Sequence, residues 1–445
     1  MFCVLISTYE LGRQPFGLAS PAAWLEREGA EVICIDLAVQ SLDHEAILAA
    51  DMVAFYIPMH TATRLVAPLI PKIRQLNPAA HIVCYGLYAP MNEAYLRSLG
   101  AETILGGEFE AGLASLVSAN GSRSWRKALP TVSLSRQQFL IPQRTLLPDL
   151  SQYARLHLGN GESRTVGYTE ASRGCKHVCR HCPVVPVYEG KFRVVQRDVV
   201  LEDIRQQVNL GAQHITFGDP DFFNGIGHAL PIVKSLHAEF PELTYDVTIK
   251  VEHLLRHAEH LATLRDTGCL FVTSAIESID DFVLEQLDKG HTQADIIRVA
   301  EMFREIDLHL VPTLVTFTPW TTLESYRQLL SFIERFELVD NVPSIHLAIR
   351  LLIPAGSKLL ELAEIRDLVG AFDEQQLVYP WSNDDPTVDD LQKSILTIVE
   401  SASADDSNRR IIFSRVASLV GLDVDNGRSL ENRILVPHLS EPWYC

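Results

Sequence analysis

Short apolar runs alternate with longer amphipathic stretches through the first part of the chain. FCVLIS, EVICIDL, MVAFYIP, HIVCYGL and ETILGG read as strands, and a helix is expected near 20–28. Alternation of this kind marks βαβ units around a parallel sheet, whose ligands sit at the loops leaving the C-terminal strand ends. Those loops span 8–17, 58–63, 86–90 and 106–110, and they carry Tyr9, His60 and Tyr88 as candidate ligand-facing residues. Between 119 and 160 the periodicity fades, and Pro142 and Pro148 break any helix there.

A second series then runs through TVGYTEAS, HITFGDPD, LTYDVTIKVEH, CLFVTSAIES, LHLVPTLVTFTPW and SIHLAIRLLIPAGS. Helical stretches separate these runs near 197–210, 228–239, 254–266, 280–287, 293–305 and 322–336. Six strand-helix repeats predict a partial barrel of parallel strands, a fold that carries its chemistry at the C-terminal strand ends. From about 358 the pattern is helical and more polar; DSNRR at 406–410 reads as an exposed turn or loop, and ILVPHLSEPWYC is Pro-interrupted and not helical. The expected class is α/β. A Rossmann-like (flavodoxin-like) parallel-sheet domain over 1–118 and a linker over 119–160 precede a partial (β/α)6 barrel over 161–357 and a helical C-terminal region with a Cys-ending tail over 358–445.

A length of 445 residues is too great for one ordinary core, and 47% hydrophobic with 21% charged residues is the composition of a globular protein. The formal net charge of -18 disfavours nucleic acid and anionic lipid as partners, although a local basic pocket remains compatible with it. The start, MFCVLISTYELG, lacks a basic region before a long apolar run, and no segment offers about 20 uncharged apolar residues. A cytoplasmic location with no membrane partner is therefore expected.

Eight cysteines are present, and only Cys175, Cys179 and Cys182 cluster. Cys3, Cys34, Cys84 and Cys269 lie in apolar runs and read as buried strand thiols. The segment ASRGCKHVCRHCP spaces the three as C-x3-C-x2-C directly after the first strand of the second series, where a barrel would open. Three thiolates can hold a four-iron four-sulfur (4Fe-4S) cluster and leave one iron free to bind another molecule. A structural zinc site is the alternative, with His177 or His181 as fourth ligand, but such sites usually show paired C-x2-C elements.

This spacing resembles the hallmark of the radical S-adenosylmethionine (SAM) superfamily, and the resemblance extends through the barrel from about 165 to 357. It implies that the free iron chelates SAM and that the reduced cluster cleaves SAM to a 5′-deoxyadenosyl radical, with flavodoxin or ferredoxin as electron donor. His181 stands before the third cysteine, where many members carry an aromatic residue. Gly218, Asp219, Pro220 and Asp221 resemble the segment that meets the SAM amino group, and an ordinary strand-end turn is the other reading. Glu277, with Thr273 and Ser274 beside it, resembles the fourth-strand acid that contacts SAM; a solvated strand-end Glu is the alternative. Lys250 and Glu252 alternate with Val251 and are expected on one face at the end of the third strand. They and Arg350 are candidates for the active-site wall or for a buried salt bridge.

A parallel-sheet domain before such a barrel resembles the cobalamin-binding domain of cobalamin-dependent radical SAM enzymes. Gly106, Gly107 and Glu108 in GGEFE look like their glycine-acid signature. No D-x-H-x-x-G motif marks a lower cobalt ligand, so cobalamin rests on fold-level analogy, with a lid domain as the alternative. The whole chain resembles a narrower radical SAM group named for a CUAEP or CCAEP tail, from ISTYELG through PMHTATR, YGLYAP and ITFGDPDFFN to the end. That group continues past EPWYC, so Cys445 is expected to precede a selenocysteine codon taken as a stop in a possible selenoprotein. A Cys-selenol pair suits a soft metalloid, and a related group with another cysteine-rich tail alkylates arsenic. Three functions follow: a cobalamin-assisted methyltransferase or alkyltransferase acting on a small molecule or metalloid, a cobalamin-independent transfer of another SAM fragment, or a non-catalytic metal or metalloid binding protein.

Overall fold

The computed structural model describes residues 1–118, 129–159, 161–404, 409–423 and 436–440, with side chains left aside at 402–404. The first unit is a parallel sheet of β1 (Phe2–Ser7), β2 (Glu31–Asp36), β3 (Met52–Tyr56), β4 (His81–Tyr85), β5 (Thr103–Gly107) and β6 (Val132–Ser133). Its order, β2-β1-β3-β4-β5-β6, is the doubly wound flavodoxin-like order extended by one strand. Every residue of β3 and β4 is buried, because helices cover both faces. That is why these strands read as continuous apolar runs rather than as alternation. One covering helix, Phe16–Arg27, starts four residues before the position expected from its pattern and carries Pro21 inside it.

β7 (Arg155–His157) and β8 (Ser163–Thr169) lead into the second unit. β9 (Ser172–Gly174) pairs antiparallel with β10 (Phe192–Val194) as a separate ribbon. β11 (His214–Phe217), β12 (Thr244–Thr248), β13 (Cys269–Glu277) and β14 (His309–Leu314) continue from β8 as one curled parallel sheet. At its other edge β7 runs antiparallel to β8, and β15 (His438–Leu439) runs antiparallel to β7. The segment between Pro142 and Tyr153 is irregular apart from two short 3-10 turns, as its prolines require.

The sixth barrel repeat is abbreviated. SIHLAIRLLIPAGS forms a 3-10 turn at Ser344–Leu347 and meets the sheet through the single parallel bridge of Phe317 to Arg350. β14 carries Pro312, which has no N–H to offer a further strand and suits an edge. Helices Gln293–Glu305 and Leu323–Arg335 begin where expected, each fixed by a threonine cap, Thr292 and Thr322. The helix expected over 254–266 is instead split into Val251–Arg256, a 3-10 turn Ala258–His260 and Leu261–Asp266.

In the C-terminal region helices Pro386–Ala404 and Arg409–Leu419 add Val388, Ile395, Val399, Ile412, Phe413 and Val416 to the barrel core. Arg409 and Arg410, read as part of a turn, open the second helix and bind Asp340. Cys3, Cys34, Cys84 and Cys269 are buried strand residues, as expected. Among the described residues no helix is long and apolar enough to cross a membrane. Cys445 lies outside the described residues.

Candidate active site

β8 ends beneath the barrel mouth, and the chain turns through β9 directly into Cys175. Gly174 makes that turn at φ +73, and a Cβ there would meet the Tyr188 ring at 2.4 Å and the Lys191 carbonyl at 2.5 Å. The loop is then pinned on both sides. Arg180 donates to the carbonyls of Glu285 and Gln286 at 3.0 and 2.8 Å, and Asn224 Oδ1 accepts the Lys176 N–H at 3.1 Å. Cys179 is buried, and Cys175 and Cys182 are half-buried. Burial pushes the Cys182 thiol up to about 12 and raises that of Cys175. Ligation by iron removes such protons outright.

Among the described residues, the one set of three candidate ligand atoms within 4.8 Å of one another is His177, Asp221 and His253. Three thiolates supplied by one loop are a donor set that would hold a 4Fe-4S cluster with one iron left open.

Asp219 is buried and fully engaged: its carboxylate accepts the Ala171 N–H at 2.9 Å and the Ser172 hydroxyl at 2.5 Å. It shapes the approach to the cysteines, and burial raises it to about 7. Gly218 permits close packing, since a Cβ there would meet the Tyr168 hydroxyl at 1.8 Å. Pro220 and Gly218 both line a cavity described below. Asp221 turns the other way, toward His253 and His177.

Glu277, at φ +67 where β13 loses register, is buried with Oε1 3.2 Å from His181 Nε2 and 3.3 Å from Lys289 Nζ. Burial opposes its charge, but Lys289 and His181 hold its carboxyl well below the usual range. It thus meets the residue just before the third cysteine. Ser274 beside it is fully buried with an unpartnered hydroxyl, and Thr273 is half-buried on the same strand.

Lys250 and Glu252 do not share a strand face. β12 stops at Thr248, Lys250 caps the helix Val251–Arg256, and Glu252 lies in its first turn. Side-chain alternation ends where the backbone turns helical; the two still approach, at 3.9 Å, across that turn. Arg350 takes its salt-bridge reading. It binds Asp389 at 2.6 Å, donates to the Trp381 carbonyl at 2.6 Å and stacks 3.5 Å over the Trp381 ring.

The two units meet over Arg173, in β9. Its guanidinium donates to both oxygens of Glu110 at 2.6 and 3.0 Å and to Glu170 at 2.5 Å, and it stands 3.8 Å from Glu108. Burial pushes Glu108 up to about 7 against the pull of Arg173; burial acts on Glu110 too, but the two-pronged Arg173 contact holds it below the usual range. Gly106 and Gly107 are filled by the protein itself: Cβ atoms there would meet Pro90 at 2.1 Å and the Ser133 carbonyl at 2.3 Å. Arg144 makes a second seam. It is fully buried, bidentate to Asp203 at 2.8 Å, and bonded to Gln14 Oε1 and the Tyr168 carbonyl. Neither arginine was marked by the sequence, because their partners are remote along the chain.

Between the units lies a cavity of about 200 Å³. Glu10, Arg13, Tyr56, Phe109, Tyr168 and Arg173 are among its walls, whereas Tyr9, His60 and Tyr88 are not. His60 instead reaches the Gln376 carbonyl at 2.7 Å. Glu10 Oε2 and Arg13 Nε are buried there without a hydrogen-bond partner. The cavity is smaller than the roughly 300–1,000 Å³ that encloses drug-sized ligands. Cobalamin is larger than this cavity.

A curled parallel barrel thus opens onto three clustered thiols, a donor set suited to an iron-sulfur cluster. Residues 169–333 match the family model of the Radical SAM superfamily, so the barrel is of radical SAM type. The ribosomal protein uS12 methylthiotransferase RimO of Parabacteroides distasonis is 23% identical over 231 residues, 49% of this chain and 49% of that protein. The chain spans about half the length of this relative. The hopanoid C-3 methylase of Methylococcus capsulatus is 24% identical over 360 residues, 76% of this chain and 67% of the relative. Among solved structures, the cobalamin-dependent SAM radical enzyme OxsB, with aqua-cobalamin and SAM bound, superposes with a TM-score of 0.69 at 13% identity, covering 94% of this chain and 71% of that one. TsrM, a radical SAM methyltransferase from Kitasatospora setae, gives 0.62 at 18% identity over 82% of this chain and 76% of its own. The two solved structures are similar to this chain in fold.

Proposed function

We propose that this chain is a radical SAM enzyme that holds a 4Fe-4S cluster on Cys175, Cys179 and Cys182. The cluster cleaves SAM reductively to a 5′-deoxyadenosyl radical, for methyl or alkyl transfer to a small molecule or metalloid. The observation that carries this reading is the pinned C-x3-C-x2-C loop at the barrel mouth. Gly218, Pro220, Thr273, Ser274 and Glu277 form the wall assigned to SAM. Glu10 Oε2 and Arg13 Nε, each buried without a hydrogen-bond partner, offer polar contacts to a substrate in the cavity between the units. Flavodoxin or ferredoxin supplies the electron in the cytoplasm.

Relatives that transfer methyl or methylthio groups, and neighbours that bind cobalamin, support a cobalamin-assisted reaction. A specific observation favours the alternative of SAM-fragment transfer without cobalamin: the gap is about 200 Å³ and the GGEFE glycines are occupied by Pro90 and the Ser133 backbone. Assignment to the CUAEP/CCAEP-tail group rests on the shared motifs, and an Ala-Glu-Pro coding run after UGA beyond Cys445 is its test.

The test of the main reading is formation of 5′-deoxyadenosine and S-adenosylhomocysteine by anaerobically reconstituted protein with SAM and a strong reductant, beside Cys179→Ala. Deoxyadenosine is expected from the wild type and not from the variant. A cobalt assay on the same preparation separates the two transfer readings. A wild type with a verified cluster and no SAM cleavage leaves the metal-binding protein as the better account.

A further inference from the structure

Three side chains beside the cluster loop converge from separate elements: His177 from the loop between Cys175 and Cys179, Asp221 from the turn after β11, and His253 from the helix after β12. Their ligand atoms lie within 4.8 Å of one another, and Asp221 and His253 are buried. Asp221 Oδ2 is 2.6 Å from His253 Nδ1 and 3.6 Å from His177 Nε2. His177 Nε2 is itself buried and lacks a hydrogen-bond partner.

We propose that His177, Asp221 and His253 form a second metal site, for one divalent first-row transition ion such as iron(II), cobalt(II) or zinc. Two imidazoles and one carboxylate with open positions are a donor set suited to such ions. Ligand bonds of about 2.0–2.2 Å place donors up to about 4 Å apart, so a small rotation of the His177 ring closes the set. On metal entry the proton shared by His253 Nδ1 and Asp221 is lost to solvent and each donor turns to the ion.

What distinguishes this cluster from an ordinary hydrogen-bonded group is its outer layer. His177 Nδ1 faces Glu252 Oε2 at 3.5 Å, the carboxylate-histidine pairing that fixes the tautomer leaving Nε2 free for a metal. Asp221 Oδ1 accepts the Phe223 N–H at 3.1 Å, so its second oxygen alone is presented to the ion. Glu252 is in turn held by Arg256 and approached by Lys250. The site requires no SAM chemistry, so it stands or falls apart from the proposed reaction.

Metal analysis of the full-length chain tests it twice. In a Cys175→Ala, Cys179→Ala, Cys182→Ala background, which removes the competing thiolates, cobalt(II) titration should saturate at one equivalent with d–d absorption of nitrogen-oxygen ligation. Adding His253→Asn or Asp221→Asn should abolish it, and Glu252→Gln should weaken it about tenfold. In the cluster-loaded chain with its cysteines intact, dialysis against zinc should leave one zinc beside the cluster iron, lost in His253→Asn. Absence of saturable cobalt binding together with equal zinc content in wild type and His253→Asn would overturn the proposal, as would saturable binding that neither substitution changes.

Discussion

Replacing Arg173 by methionine keeps most of its stem and removes the charge that three buried carboxylates share. Glu110 and Glu108 are almost wholly enclosed, and Glu170 is only slightly more open. Taking away one partner of a buried ion pair costs roughly 3–5 kcal/mol at a pH where the others stay ionised. The effect must depend on pH, and its sign follows from the carboxyls. Glu108 already sits raised from 4.5 to about 7, so the stability it allows is full below about 4.5 and is lost as pH rises through about 7. At about 1.4 kcal/mol per pKa unit, this is about 3 kcal/mol in the wild type. Without Arg173 the pull on Glu110 also disappears, and both acids shift upward. The variant then tolerates acid better than neutral pH. Urea midpoints of anaerobic wild-type and Arg173→Met protein, taken at pH 5 and pH 8, should differ at both, since Glu110 is still ionised on Arg173 in the wild type at pH 5, and differ by more at pH 8, where the loss reaches about 3–5 kcal/mol. A difference that is constant across pH, or larger at pH 5, would refute the shared-carboxylate account.

Gly218→Ala should cost about 1–3 kcal/mol by overpacking against Tyr168, and an unchanged urea midpoint would count against the close approach. Glu277→Gln should still assemble a cluster, with its iron and absorbance intact, but bind SAM at least about tenfold more weakly by equilibrium dialysis, a charge-assisted contact being worth about 1.5 kcal/mol or more; unaltered SAM affinity would confine Glu277 to holding His181 and Lys289. Arg350→Ala removes a half-buried pair with Asp389 and the Trp381 stack. It should cost about 1–2 kcal/mol and expose helix Pro386–Ala404 to protease sooner, while cluster absorbance is unchanged.

The parts of this fold governed by local pattern were legible. Apolar runs gave β1 to β5 in the flavodoxin-like order, and amphipathic stretches placed two barrel helices to within a residue of starts that threonine caps fix. The three cysteines were legible because a single loop supplies all of them. Errors arose where one pattern serves two structures. The alternation of Lys250 and Glu252 looks like a strand end, yet it falls across the first turn of a helix. SIHLAIRLLIPAGS is as apolar as a strand, yet Pro312 leaves its would-be partner without a donor. Arg144, Arg173 and the His177, Asp221 and His253 group could not be read at all, since each set joins residues from different loops and no spacing connects them.

The GGEFE segment shows what such remote pairing does to an inference from motif. Its glycines and acid suggest a cofactor cradle, but here the glycines admit Pro90 and the Ser133 backbone, and both acids turn to the arginine two residues before Cys175. Tyr188, behind the third cysteine, donates to Glu108 at 3.2 Å from the same side. The N-terminal unit therefore grips the cysteine loop at both ends of its run, and movement between the units cannot leave the cluster segment undisturbed. A ligand large enough to part the units must break the Arg173 contacts or carry that loop with it. Whatever enters the cavity is thereby coupled to the position of the thiols, which gives the first unit a physical role in the chemistry even where it binds no cofactor of its own.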